Sequence, residues 1–433
     1  MASLGELGHP VAARFSFLAA AGDSLLGPSA VWFGIRDLSF NDDGRGLIAA
    51  AMIPYIPLNL NQGLSIAHAE HVRRTTVSER IGQAGLSPEQ IKFLTEFANG
   101  LVWKSPDLEI LKPDAGIDYN ELVQILQDMM QKSNRRGRLI LPNLTAHGNE
   151  TVAVFSDYAG ESSGDYHTYS FLTCGWNTCG AFLGKVSDIR AQSRLGDKEI
   201  AFKDFRMGQM QRALPDYLKA ADLLLHGFLL TIVIDKKLLT LFGPNEKKTQ
   251  TSLSETLRQA GLGTWKPDAA EKLLRVVHCV AFLVALLARS GQKVFWMSDN
   301  DTICANEDLH RQALDLLARA VGIYAQDSHF LVFSGAAPFK NRGLGHLDLL
   351  SLADITASSV EHYLTRKNAN EGVDFGVKAG SHSVLQWLAH DGLSLSKMTI
   401  IVRPSVSGAI ETANLEFKLA EEPNDVTAIP IVI

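Results

Sequence analysis

The stretch VAVFSDYAGESSGD (Val152–Asp165) starts with five residues of strand character, Val152–Ser156. They run into Asp157 and a Gly- and Ser-rich turn that bears further acids. A buried strand ending on a carboxylate has two ordinary uses. The acid caps a turn, or it emerges at the mouth of a sheet, where open α/β folds place their sites and hard oxygen ligands hold metals. The segment after this turn, TYSFLTC (168–174), reads as a strand beside 151–157, and KEIAFKDF (198–205) as a third strand.

Strands and helices alternate from there. MGQMQRALPDYLKAADLLLH (207–226) has a helical pattern that Pro215 must kink or divide. GFLLTIVID (227–235) is a continuous apolar run, as in a central strand covered on both faces. A long apolar helix is predicted over about 268–289, strands over QKVFWMSD (292–299) and HFLVFSG (329–335), and a helix over 307–324. An amphipathic helix spans 346–366, followed by a short helix near SVLQWLAHDG and strands near KMTIIVRP and IETANLEFKLA. This alternation predicts an α/β fold with a mixed sheet covered by helices on both faces.

Upstream, residues 1–60 are apolar and Gly-rich, and helical patterns begin near Gln62. SPEQIKFLTEFANGLVW starts with Ser87 as N-cap and Pro88 at the first helical position. DYNELVQILQDMMQK (118–132) carries one apolar stripe, and SNRRGR then breaks the pattern. With 433 residues, two domains are the default expectation, and the boundary falls near 133–149. Residues 1–147 form a mainly helical region, and 148–433 form the α/β domain with a C-terminal extension.

The chain is 46% hydrophobic and 20% charged, with net charge −6, so no global positive field attracts nucleic acid. RNA or DNA would need a local basic surface such as NRRGR (134–138) or HVRR (71–74), each of which is more simply a solvated loop. Four cysteines in so long a chain read as free thiols, and the Cys174/Cys179 spacing alone is a weak zinc signal. The N-terminus lacks the pattern of a signal peptide, and no apolar run suits a membrane span. A cytoplasmic protein without membrane contact is the expectation.

Three strands end in Asp157, Asp235 and Asp299, and Asp354 lies beside the apolar stripe of the helix over 346–366. Carboxylates gathered from separate strands repel one another unless a cation offsets them, which points to Mg²⁺ or Mn²⁺. Lys236 and Lys237 stand beside Asp235, so that acid has an alternative role as a structural strand end. The HAEH motif at His68 and His71 is not spaced as a helical zinc pair, and His278 sits in an apolar helix as a core histidine. His167, His346 and His382 could become ligands only through the fold. There is no GxxxxGK[ST] and no GxSxG.

SDYAGESSGD, KEIAFKDFRMGQMQRALPDYL, TIVIDKK (231–237), FWMSDNDT and LLSLADITASSV occur in that order. As an ordered set over about residues 150–366, this resembles the bacterial domain-of-unknown-function 3800 family, which is similar to RNase H-like nucleases and transposases. Asp157 matches the family's first acid, whereas Tyr158 stands where an adjacent Glu is usual, with Glu161 or Asp165 as substitutes. The resemblance implies an RNase H-like α/β fold and a two-metal nuclease. Asp157 would bridge the metals, Asp299 or Asp301 would complete one site and Asp354 the other. Glu199 would orient the water, Lys203 would offset phosphate charge, and Glu161 is a site or turn residue. The expected activity is therefore metal-dependent phosphodiester hydrolysis. Two other readings stand beside it: a non-catalytic binding or regulatory module that retains the fold, and a small-substrate phosphatase or nucleotide hydrolase.

Overall fold

The computed structural model describes residues 101–103, 106–112, 116–162, 164–326, 328–336, 343–369, 378–390, 392–419 and 426–431. The helix patterns before residue 101, HAEH and HVRR lie outside them. In chain order the described elements are α1 (Glu121–Arg135), β1 (Thr151–Ala159), β2 (Tyr166–Gly175), α2 (Gly180–Ser193), α3 (Gly208–Leu224) and β3 (Gly227–Asp235). Next come α4 (Lys247–Gln259), α5 (Pro267–Leu287), β4 (Lys293–Ser298), α6 (Glu307–Tyr324), β5 (Val332–Ala336) and α7 (Leu344–Ala369). The chain closes with α8 (Ser381–Leu388), β6 (Leu395–Pro404), β7 (Ile410–Leu419) and β8 (Val426–Ile431).

The eight strands form one sheet in the order β5-β4-β1-β2-β3-β6-β7-β8. β1 is parallel to β4, β4 to β5 and β3 to β6, while β2 is antiparallel to both β1 and β3. The C-terminal strands β7 and β8 continue the sheet by antiparallel pairing. The fold is thus α/β with a mixed sheet.

Period-two alternation along β1 divides its side chains between two cores. Val152 and Val154 face one core with α1, α5 and α6, while Ala153 and Phe155 face the other with α2, α3, α7 and α8. All four are fully buried, which accounts for the unbroken apolar run at the start of the strand. β3 behaves likewise: Phe228, Leu230, Ile232 and Ile234 join the first core, and Leu229 joins the second. Helix α1 begins at Asn120, whose side chain accepts the Val123 N–H at 3.2 Å. It buries Leu122, Leu126 and Met130 in the same core as Val152.

The β1–β2 turn depends on glycine. Gly160 has φ +84°, and a Cβ there would lie 1.9 Å from the Tyr166 carbonyl oxygen. Only a residue without a side chain fits so close an approach in the left-handed region.

Two expectations change. KEIAFKDF forms no strand; it is an irregular segment with a 3₁₀ turn over Phe202–Asp204. Its short apolar run is equally satisfied by burial of Ile200, Ala201 and Phe205, with Ile200 and Phe205 joining the core on one face of the sheet. Pro215 lies inside one continuous helix, α3, and does not divide it.

Candidate functional site

The alternation that builds the two cores also decides where β1 sends its polar end. Asp157 follows Ala153 and Phe155 toward the face covered by α7, and Tyr158 points to the opposite face. β4 runs parallel to β1 with Ser156 opposite Ser298, and the ladder continues as the Asp299 N–H donates to the Ser156 carbonyl at 3.0 Å. Asp157 and Asp299 therefore lie at the carboxyl ends of neighbouring parallel strands. Helix α7 packs across β1 and β2 and brings Asp354 over this edge.

Each of these acids is held by backbone or hydroxyl donors. Asp157 is 8% exposed, and its Oδ1 accepts the Tyr158 N–H at 2.6 Å. Asp354 accepts the Phe202 N–H at 3.0 Å and the Ser358 hydroxyl at 3.2 Å. The Phe202 bond links the 3₁₀ turn to α7 and brings Glu199 and Lys203 near the acids. Among the described residues, no lysine or arginine forms an ion pair with Asp157, Asp299 or Asp354.

The electrostatics follow from that grouping. Burial, and then the charges of Asp354 and Asp299, raise the Asp157 carboxyl well above its ordinary range against the opposing Tyr158 N–H. Burial raises Asp354 to about 6; its two hydrogen bonds oppose the shift, and Asp299 and Glu199 add to it. Burial likewise raises Asp299, with Asp301 adding to the effect while the Asn300 N–H, Lys272 and Lys203 oppose it. Glu199 is raised by burial, opposed by Lys203, and pushed further by Asp299 and Asp204. Four carboxyl groups thus share one field in which each makes its neighbours harder to ionise.

Asp301 and Glu161 take a different place. Both form ion pairs with Lys272, a buried residue of α5, whose ammonium lies 4.4 Å from the centre of the Tyr158 ring. Lys272 holds both acids on the α5 side, although the Asp301 charge still adds to the rise of Asp299 and, least of its causes, of Asp157. Tyr158 is no replacement for an acid. Its hydroxyl bonds Ser156 at 2.7 Å and Ser298 at 2.9 Å, and Trp296 Nε1 donates to Ser156 Oγ at 2.9 Å. This chain fastens β1 to β4 on the face away from Asp157. Lys272 escaped the sequence reading. Its only signal is the charged group Glu271, Lys272 and Arg275 within an otherwise apolar helix, and all three are buried.

Other candidates resolve into structure. Asp235 Oδ1 accepts the Lys237 N–H at 2.8 Å, a turn cap at the end of β3. His278 Nδ1 lies 2.6 Å from the Tyr324 hydroxyl, and burial lowers its pKa to about 4. His167 and His346 are also lowered to about 4, in each case by burial first. The four cysteines are free and buried, with Cys174 and Cys179 sulfurs 3.7 Å apart. Arg138 of the NRRGR loop pairs with Glu416.

Among the described residues, no group of three or more His, Cys, Asp or Glu side chains is arranged to hold a metal ion. The donor chemistry of Asp157, Asp299 and Asp354 nevertheless suits a hard divalent cation: the donor atoms are all oxygens, their charges repel, and among the described residues no lysine or arginine forms an ion pair with them, Lys272 and Lys203 only partly offsetting Asp299. No helix among the described residues is long and apolar enough to cross a membrane. Comparison of the chain with protein-family models, curated proteins and solved structures finds no match.

Proposed function

We propose that this chain is a metal-dependent phosphodiester hydrolase. The observation that carries the reading is the convergence of Asp157, Asp299 and Asp354, from two parallel strands and a crossing helix, with no ion-pairing side chain among the described residues. The order β3-β2-β1-β4-β5 with β2 alone reversed is also the arrangement of an RNase H-like sheet, in keeping with the resemblance to the domain-of-unknown-function 3800 family.

Mg²⁺ or Mn²⁺, when bound, would supply the positive charge that activates a water and stabilises a leaving oxygen. Asp157 has Asp299 and Asp354 as its principal charged neighbours and would be the shared ligand. Asp299 would complete one site and Asp354 the other. Glu199, raised from its ordinary value, is a better proton acceptor than a solvated carboxylate and would orient and deprotonate the attacking water. Lys203, exposed beside Glu199, would face the phosphate. The Phe202 N–H and Ser358 hydroxyl fix the Asp354 carboxyl, a second layer of support of the kind metal ligands require.

The test is cleavage of RNA, single-stranded DNA and duplex substrates with Mn²⁺ by the full chain and its Asp157→Asn variant. The expected loss in the variant is at least about 100-fold, since a metal ligand of a hydrolytic site is removed. Equal cleavage by both proteins would assign the activity elsewhere. A second reading, a non-catalytic module that keeps the fold, draws on the lack of a metal-holding arrangement of side chains among the described residues. It predicts no cleavage of any of the three substrates.

A further inference from the structure

Beside the Phe202–Asp204 turn lies a cavity of about 310 Å³, lined by Phe202, Lys203, Arg206, His362, Arg366 and Lys378. Four of these six side chains are cationic, and no acid lines the cavity among the described residues. That concentration stands out in a chain of net charge −6. Arg206 and Arg366 are exposed, and their side chains compete with no ion-pair partner among the described residues.

The cavity is built rather than a chance gathering of surface lysines. Lys378 Nζ donates to the carbonyl oxygens of Phe202 at 2.6 Å and Lys203 at 3.3 Å, and it lies 4.1 Å from the centre of the Phe202 ring. His362 Nε2 accepts the Lys378 N–H at 3.3 Å, which leaves the proton on Nδ1. Asp204, the nearest acid on the turn, is paired with Lys198 at 3.4 Å. The same Phe202 residue lines the cavity and donates its N–H to Asp354, so one turn joins the basic pocket to the acidic group.

Two adjoining sites of opposite character fit a ligand with successive phosphates. One phosphate, brought with its cation, faces the carboxyl groups; the next needs direct positive charge. We infer that the pocket of Lys203, Arg206, Arg366 and Lys378 receives a backbone phosphate of a nucleic-acid strand whose adjacent phosphodiester faces Asp157, Asp299 and Asp354. The assignment of that adjacent phosphodiester rests on the hydrolase reading. The pocket's affinity for a phosphate of the strand does not. Arg presents a planar fork suited to phosphate oxygens, and Lys378 adds a fixed point charge.

Binding can be measured without cleavage. The full chain carrying Asp157→Asn is titrated, in chelator, against a short fluorescein-labelled single strand of RNA or DNA while anisotropy is followed across a salt series. Arg206→Gln with Arg366→Gln in that background is expected to weaken binding about tenfold and to reduce the salt slope by about 1–2. Arg311→Gln, on α6 at the opposite face of the sheet, leaves both unchanged. The inference is overturned if the strand does not bind, if the pocket variant binds with the parent's affinity and slope, or if ATP displaces the strand well below its own phosphate-equivalent concentration. That last result would assign the pocket to a free nucleotide. Pocket-dependent binding by a protein that cleaves nothing would sink the hydrolase proposal and leave this one standing.

Discussion

Lys272→Met removes the cation that holds Asp301 and Glu161 while keeping the apolar stem that packs inside α5. The Lys272 side chain is 9% exposed, Asp301 13% and Glu161 43%. Glu161 is exposed enough that its pairing contributes little. Asp301 is different, because it stays buried with no cation, and breaking a buried pair costs about 3–5 kcal/mol. One Asp301 oxygen still accepts the Ile303 N–H at 2.9 Å, which places the loss at the lower end. We therefore expect about 3 kcal/mol from urea unfolding at pH 7, at unchanged m-value. Adding Asp301→Asn takes away the stranded charge and should restore about 1–2 kcal/mol. A loss below about 1 kcal/mol, or a double variant no more stable than Lys272→Met alone, would mean that Lys272 does not offset a buried Asp301 charge. Asp301 and Glu161 would then return as candidate metal ligands.

Further outcomes follow from the same geometry. Asp354 ionises at about 6 in the folded chain against an ordinary 3.8, so the folded state holds its proton longer than the unfolded state. Its contribution is fully present below pH 3.8 and is lost as pH rises through 6, by about 3 kcal/mol; Asp354→Asn should make thermal stability less steep over that interval, and an unchanged slope would contradict the assignment. Tyr158→Phe loses two hydroxyl contacts on the face away from Asp157, so urea unfolding should show a cost of about 1–2 kcal/mol while Mn²⁺-dependent cleavage stays at the wild-type rate. A collapse of activity in that variant would place Tyr158 in the site. Arg190→Met strands Asp348, with which it forms a buried ion pair, and it abandons the carbonyls of Gly196 and Lys198. It should cost about 3–5 kcal/mol in the same assay, and a cost near zero would contradict the pairing.

Much of the sheet was legible because its strands are bounded by turn residues and buried on two faces. β1 and β3 stand where their apolar runs lie, and α6 covers the residues its periodicity marks. KEIAFKDF failed because a short apolar run such as Ile200–Phe202 suits a buried irregular segment as well as a strand. The helices α2 and α4 escaped because α2 has hardly any amphipathic pattern and α4 is mostly polar. At the site, Asp157, Asp299 and Asp354 were visible as charges placed against apolar patterns. The same reasoning applied to Lys272 would have shown that the long apolar helix carries a buried cation needing an acid. Strand alternation puts Asp157 and Tyr158 on opposite faces. What no sequence pattern could decide is that Lys272 of α5 reaches Asp301 and Glu161 while Asp157, Asp299 and Asp354 are left without an ion pair among the described residues.

The most direct test of the central claim is calorimetric titration of Mn²⁺ into the full chain and single variants at pH 7. The account predicts saturable binding by the wild-type protein, its loss in Asp157→Asn and Asp299→Asn, and its retention in Asp301→Asn. Binding of Mn²⁺ by Asp157→Asn with the affinity and heat of the wild type would contradict it.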